Sequence, residues 1–347
     1  MNKYLNASVS IASAMIIGTL LMVAMGHNPA EAYRELLRGA FVGNLNFGTT
    51  LARFVPILLT AFAFVAAAKV GIFNVGVEGQ MYLGAMAAAW AGFTFAGLFA
   101  PLHIVLCFAL AALVGMIWAF IPGFLKVKWG VNEICVTIMM NYVAILFTSF
   151  LTIGVLSART GVPRTHSVSP DVVLPRILVP SAANTGLFIA IIIVAVLLFV
   201  FYKTKLGYQL KTVGLNPHHA EYIGINPKFT VIKAMLISGS IGGIAGAIEV
   251  LGVYRHFLDR FSDNIAFNGM LAALIVKNDP KMVPFMAFFL AVLQTGALGM
   301  DRHSGVPRSI IDVVIAVFIV FACAEIFSQM KKRQSVKSQA GLKGEAV

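Results

Sequence analysis

Between positions 71 and 80 the chain sets Phe73, Asn74, Glu78 and Gln80 among three glycines, Gly71, Gly76 and Gly79. A side-chain amide both donates and accepts, a carboxylate accepts from hydroxyls, and a phenyl ring offers a flat apolar face. These groups suit recognition of a polar, partly flat molecule. If the run continues as helix, Asn74 and Glu78 share a face while Gln80 points elsewhere. All three then meet one ligand only where the glycines break the helix. A second set, Glu133, Thr137, Asn141, Thr148 and Thr152, recurs at helical spacing and forms one polar stripe. Reactive chemistry is missing. No Walker A, H-E-x-x-H or G-x-S-x-G sequence is present, so no ATP-hydrolysing or familiar hydrolase site is expected. Cys107, Cys135 and Cys323 follow no metal-ligand spacing and read as buried, inert thiols. The neighbours His218 and His219 point to different faces of any helix, which argues against a metal site. No catalytic residue, metal or cofactor is expected on this chain.

The elements that must position these residues are membrane helices. The chain is 59% hydrophobic and only 12% charged, whereas soluble domains carry about 25% charged residues. A spanning helix needs about 20 mostly apolar residues. Candidate spans fall near 5–26, 49–68, 81–99, 102–121, 134–156, 185–202, 229–252, 265–277, 282–299 and 309–328. The eighth is too short to cross alone and reads as broken or re-entrant. The first apolar segment is too long for a cleavable signal and reads as a span. The expected fold is therefore an all-α integral membrane protein of about ten segments, with one polytopic domain over 1–330. The run 71–80 interrupts two of these segments with polar residues. Backbone outside the helical pattern is tolerated at membrane depth only inside protein or against a water-filled cavity, and ionisable groups there usually line a pathway.

The net charge of +12 invites a nucleic-acid reading, but the basic residues follow the helix ends. With the N-terminus inside, ten crossings place Lys3, Lys126, Lys128, Lys203, Lys205, Lys211, Lys228, Lys277 and Lys281 on the cytoplasmic side together with Lys331-Lys332-Arg333. Lys and Arg bias fixes orientation, so both termini are expected in the cytoplasm, with a disordered basic tail over 331–347. Glu249 is expected near the external interface, in easy reach of water.

Three connections exceed simple turns. Asn28-Pro29 opens a short external helix, with Asn28 as its cap. The stretch 157–184 holds Pro163, Pro170, Pro175 and Pro180 and reads as a long external loop without regular structure. The internal loop 203–228 contains a two-turn helix with both ends written in sequence: Asn216 caps it, Pro217 takes its first position, and Gly224 suits a left-handed terminus. A helix so short needs a surface to dock on. In the seventh span, Gly239, Gly242, Gly243 and Gly246 form overlapping small-xxx-small pairs that permit close helix approach.

The run Gly71-Ile72-Phe73-Asn74-Val75-Gly76-Val77-Glu78-Gly79-Gln80 resembles a signature of bacterial ATP-binding-cassette permeases. The likeness extends over Asn28–Tyr33, Gly130–Asn141, Val213–Asn226 and Ala234–Gly252. The family branch is the one that carries nucleosides and is related to ribose-type sugar permeases. The resemblance implies a second homologous permease, a cytoplasmic double-cassette ATPase holding ATP and Mg, a substrate-binding lipoprotein or protein outside, and residence in the bacterial cell membrane. The residues expected along the substrate path are Phe73, Asn74, Glu78, Gln80, Glu133, Thr137, Asn141 and Asn268. Those expected to couple to the ATPase are Gly214, Asn216, Pro217, Ala220, Glu221, Tyr222 and Gly224. Around Asn268-Gly269 the stretch from Phe261 departs from the family's glycine-rich, acid-containing pattern. Two other readings stand beside the nucleoside one: a cassette permease for a simple sugar such as a pentose, and a secondary transporter in which Glu78 or Glu249 binds a coupling proton.

Overall fold

The computed structural model describes residues 16–307, 309–313 and 316. The tail 331–347, Cys323, half of the expected span 5–26 and most of the expected span 309–328 lie outside them. The described residues form two compact units, divided between 41 and 42 and between 292 and 293.

The larger unit is built on a buried helix trio. Helix α2 (Asn44–Ala68) is followed by non-helical backbone and then α3 (Val77–Thr94). Helix α9 (Pro227–Ile248) ends in a π-helical turn, Glu249–Tyr254. The small residues of α9 sort by face. A Cβ on Gly239 would meet the backbone of Gly115 and the side chain of Ala119, and one on Gly243 would fall on Ala111. One on Gly246 would fall on the Met81 carbonyl, and Gly242 faces Gln80. The small-xxx-small reading is thus a packing device with two partners: α3 on one side and α4 (Ala100–Trp129) on the other.

The peripheral helices each bury one narrow stripe. In α4 that stripe is His103, Cys107, Ala111, Gly115, Ala119, Pro122 and Gly123. In α5 (Glu133–Ile153) it is Thr137, Asn141, Ala144, Thr148 and Thr152, and in α6 (Gly186–Lys203) it is Gly186, Ala190, Val194, Leu197 and Phe201. Their remaining faces are large, apolar and exposed, as lipid-facing surface must be.

Six described helices are long and apolar enough to cross a membrane: α2, α4, α5, α6, Pro227–Tyr254 and α11 (Val283–Ser304). Two expected spans take other forms. The segment expected at 81–99 starts earlier, as α3, and is too polar to count among the six; with 14 of its 18 residues buried, protein rather than lipid surrounds it. The short eighth segment is α10 (Ile265–Ile275), as its length required. The internal connection differs from the expected loop, because α7 (Lys205–Leu215) precedes α8 (Pro217–Tyr222). Thr204 caps α7, with its hydroxyl accepting from Gly207 N at 3.3 Å. Gly207 lies against the Val200 and Phe201 backbone, where no side chain fits.

The stretch 157–184 is also more structured than expected. It holds a 3-10 turn, Pro170–Val172, and isolated bridges Ser157–Thr165, Arg164–Leu258 and Arg176–Asn184. Backbone bonds from Val168 N to Arg255 O (2.9 Å), Ser169 N to Gly92 O (2.9 Å) and Leu174 N to Leu251 O (3.0 Å) lay it over the ends of α3 and α9. Cys107 is buried as expected, but Cys135 is exposed, because it lies off the buried stripe of α5.

In the smaller unit, α1 (Pro29–Phe41) begins as expected, with Ala30 N donating to Asn28 Oδ1 at 3.1 Å. Gly39 meets Gly299 and Gly296 meets Leu36, both without room for a Cβ.

Candidate functional site

The helix is broken before Val77, and the break brings together residues that a continuous helix would separate. Gly71 takes φ 81, which opens a left-handed turn after α2. The chain then runs non-helically to Gly76. Asn74, fully buried, exchanges two hydrogen bonds with Gln80: Nδ2 donates to Oε1 (3.2 Å) and Gln80 Nε2 donates to Oδ1 (3.3 Å). Asn74 Nδ2 also donates to Ser238 Oγ at 2.8 Å, and its Oδ1 accepts from Gly76 N at 3.0 Å. Ser238 in turn donates to the Ala63 carbonyl at 2.6 Å. One amide therefore ties α2, the loop, α3 and α9 together with its bonding capacity filled.

Asn141 does the same from α5. Its Oδ1 accepts from Gly79 N (2.8 Å) and its Nδ2 donates to Val75 O (2.9 Å). Gly79 leaves that space free, since a Cβ there would lie 3.0 Å from Asn141 Oδ1 and from Ala144 Cβ. The predicted polar stripe does face the bundle interior. Its hydroxyls bond their own helix: Thr137 to Glu133 O (2.7 Å), Thr148 to Ile145 O (3.0 Å) and Thr152 to Thr148 O (2.7 Å). At its end Glu133 pairs with Lys126 Nζ at 2.8 Å.

Glu78 is 4% exposed, and its Oε2 accepts from Ala266 N at 2.8 Å, at the start of α10. Tyr82, one turn further, donates to Ser262 O (3.4 Å) and accepts from Ser262 N (3.3 Å). Sequence spacing could not reveal these contacts, which join positions 180 and 188 apart. Phe73 is half-buried, edge-on to Phe64 at 4.8 Å between centroids. Asn268, also half-buried, donates to Asn264 O at 3.0 Å within its own helix turn. Glu249 departs from expectation: it is 4% exposed rather than open to water, and Arg53 is the charge that acts on it.

The short helix α8 has the predicted ends. Asn216 Oδ1 accepts from His219 N at 3.1 Å, Pro217 occupies the first position, and Gly224 has φ 81. Ala220 is buried, Glu221 is exposed, and Tyr222 is 89% exposed. A Cβ on Gly214 would fall on the Lys69 carbonyl, so α7 rests on the chain just before the Gly71–Gln80 run. Among the described residues no group of three or more His, Cys, Asp or Glu could hold a metal ion.

Helices long and apolar enough to cross a membrane, packed around buried amides and glycines, mark a multi-pass membrane protein. The family model described as "Branched-chain amino acid transport system / permease component" matches residues 46–328, and the chain belongs to this family of permease components. It is 33% identical over 334 residues to the guanosine ABC transporter permease protein NupP of Bacillus subtilis (strain 168), covering 94% of this chain and 96% of that protein. It is 32% identical over 353 residues to the nucleoside ABC transporter permease protein NupB of Lactococcus lactis subsp. cremoris (strain MG1363), covering 98% and 97%. The glucose ABC transporter permease protein TsgB13 of Haloferax volcanii is 29% identical over 339 residues, covering 94% and 88%.

Proposed function

We propose that this chain is a membrane-spanning subunit of an ATP-driven nucleoside importer in the bacterial cytoplasmic membrane. It has about ten segments with both termini inside, and it forms the path with a second homologous permease. ATP and Mg bind a separate double-cassette ATPase, and an extracytoplasmic binding lipoprotein or protein delivers the cargo. The observation that carries this reading is the near full-length similarity to two nucleoside permeases. Within the path, Phe73, Glu133 and Asn268 retain exposed surface toward the cargo, while Asn74, Glu78, Gln80, Thr137 and Asn141 hold the wall in shape. Gly214, Asn216, Pro217, Ala220, Glu221, Tyr222 and Gly224 form the element that meets the ATPase.

A second reading, a simple-sugar importer, is favoured by the similarity to the Haloferax glucose permease. Uptake of labelled guanosine in vesicles carrying the complete transporter separates the readings. Import is expected to require ATP, to resist a protonophore and to be competed by unlabelled nucleosides. Competition by glucose or ribose alone would support the sugar reading, and uptake by this polypeptide alone, abolished by a protonophore, would overturn both.

A further inference from the structure

We propose that Glu78 and Tyr82 are positioning residues that lock the start of α10 to α3, so that the two helices move as one body during transport. The proposal rests on the importer reading for its functional consequence. Helix α10 has 11 residues and is about 16 Å long, roughly half the hydrocarbon thickness. Its end must therefore be satisfied by protein. The first amides of any helix need outside acceptors. The residue before α10, Asn264, sits at φ 56 and supplies no side-chain cap. Ile265 N is taken instead by Ser262 Oγ at 3.2 Å, and Ala266 N by Glu78 Oε2 at 2.8 Å.

Glu78 and Tyr82 stand four apart, on one face of α3. Together they hold Ser262 by its backbone N–H and its carbonyl, and hold Ala266 by its N–H. The Tyr82 ring packs against Phe261 (4.8 Å between centroids) and Phe257 (6.2 Å). One turn into α10, Gly269 lies against the Ile57–Ala61 backbone with no space for a side chain. The carboxyl is thus buried and committed to a helix end, an arrangement for transmitting displacement rather than for holding cargo.

The conservative replacement separates these roles. Glu78→Gln keeps an oxygen that accepts from Ala266 N, whereas Glu78→Ala keeps none. Tyr82→Phe keeps the ring and loses both bonds to Ser262. Each variant would be compared with wild type in the complete reconstituted transporter, by guanosine uptake and by amide exchange over 262–268. Glu78→Gln is expected to stay within about twofold of wild type in both readouts, while Glu78→Ala loses roughly tenfold in uptake and gains similarly in exchange, as an unsatisfied buried group predicts. Tyr82→Phe is expected to fall between them. Loss of uptake in Glu78→Gln with exchange unchanged would overturn the proposal, because the charge itself would then act on cargo or a proton. Wild-type uptake and exchange in Glu78→Ala would overturn it as well. If Glu78→Ala does not assemble, Tyr82→Phe decides: raised exchange supports the lock and unchanged exchange overturns it. Failure of the wild-type transporter to import any nucleoside would count against the importer reading, while exchange in the purified chain would still test the lock.

Discussion

Helices α3 and α4 are neighbours of similar task and opposite character. Helix α4 is apolar along nearly its whole length and buries a single stripe of mostly small residues. Helix α3 carries Glu78, Gln80 and three glycines in its first 16 residues and is buried almost all round. Lipid demands apolar side chains but tolerates any shape, whereas protein neighbours accept polar groups but fix the shape closely. The Gly71–Gln80 run survives at this position because α2, α5, α9 and α10 satisfy it. The two helices should therefore respond to opposite kinds of substitution.

The largest effect is expected from adding volume where α9 meets both helices. Gly243→Val would drive a side chain into the Ala111 backbone of α4, whose carbonyl oxygen is the atom nearest the added Cβ. Overpacking in a core typically costs about 1–3 kcal/mol and occasionally more. Here the added atoms meet backbone, which cannot move aside as a side chain can, so the helices must separate and the cost exceeds that range. Loss of the folded peak is expected in detergent thermal-shift and size-exclusion measurements. Leu113→Ala, at an exposed position of α4, should leave both unchanged. A stable Gly243→Val variant would show that the close approach is not needed.

Next comes the interior polar network. Asn74→Ala strips partners from Gly76 N, Gln80 and Ser238 at once. Each unsatisfied buried group costs about 1–3 kcal/mol, so a clear fall in melting temperature and lost uptake are expected, with the binding protein's affinity unchanged. Asn74→Asp, which keeps the acceptor for Gly76 and loses the donors, should fall between. If both variants transport and melt as wild type does, the amide is not what holds the loop.

What could be read from sequence divides along the same line. The caps of α1 and α8 and the turn at Gly224 were legible because each is completed within a few residues. The glycine row of α9 announced close packing, but not that alternate glycines serve α3 and α4. Helix α7 went unseen because Gly207 and Gly214 dilute its helical pattern; both are glycines because other backbone lies against them. The partners of Glu78 and Asn141 were not legible. They depend on which helices become neighbours, and nothing local to position 78 or 141 encodes that.

The smallest effect on the chain itself, and the most telling for its partners, is expected at α8. Tyr222 is 89% exposed and Leu215 is 77% exposed, on a connection that the charge distribution assigns to water rather than lipid. Exposed apolar groups of this kind add nothing to the fold of the isolated chain. Tyr222→Ala should leave its melting temperature within about 0.5 kcal/mol equivalent of wild type, as surface changes do. Asn216→Ala should cost about 1 kcal/mol of local helix stability, visible as faster amide exchange over 217–222. In the assembled transporter the order should reverse. Tyr222→Ala removes the exposed ring proposed to meet the ATPase, so uptake should fall while ATP hydrolysis continues. Asn216→Ala should be partly rescued, because docking re-forms the helix. Equal uptake in wild type and Tyr222→Ala would mean that this surface meets no partner, and the likeness between α8 and a docked helix would then be one of shape alone.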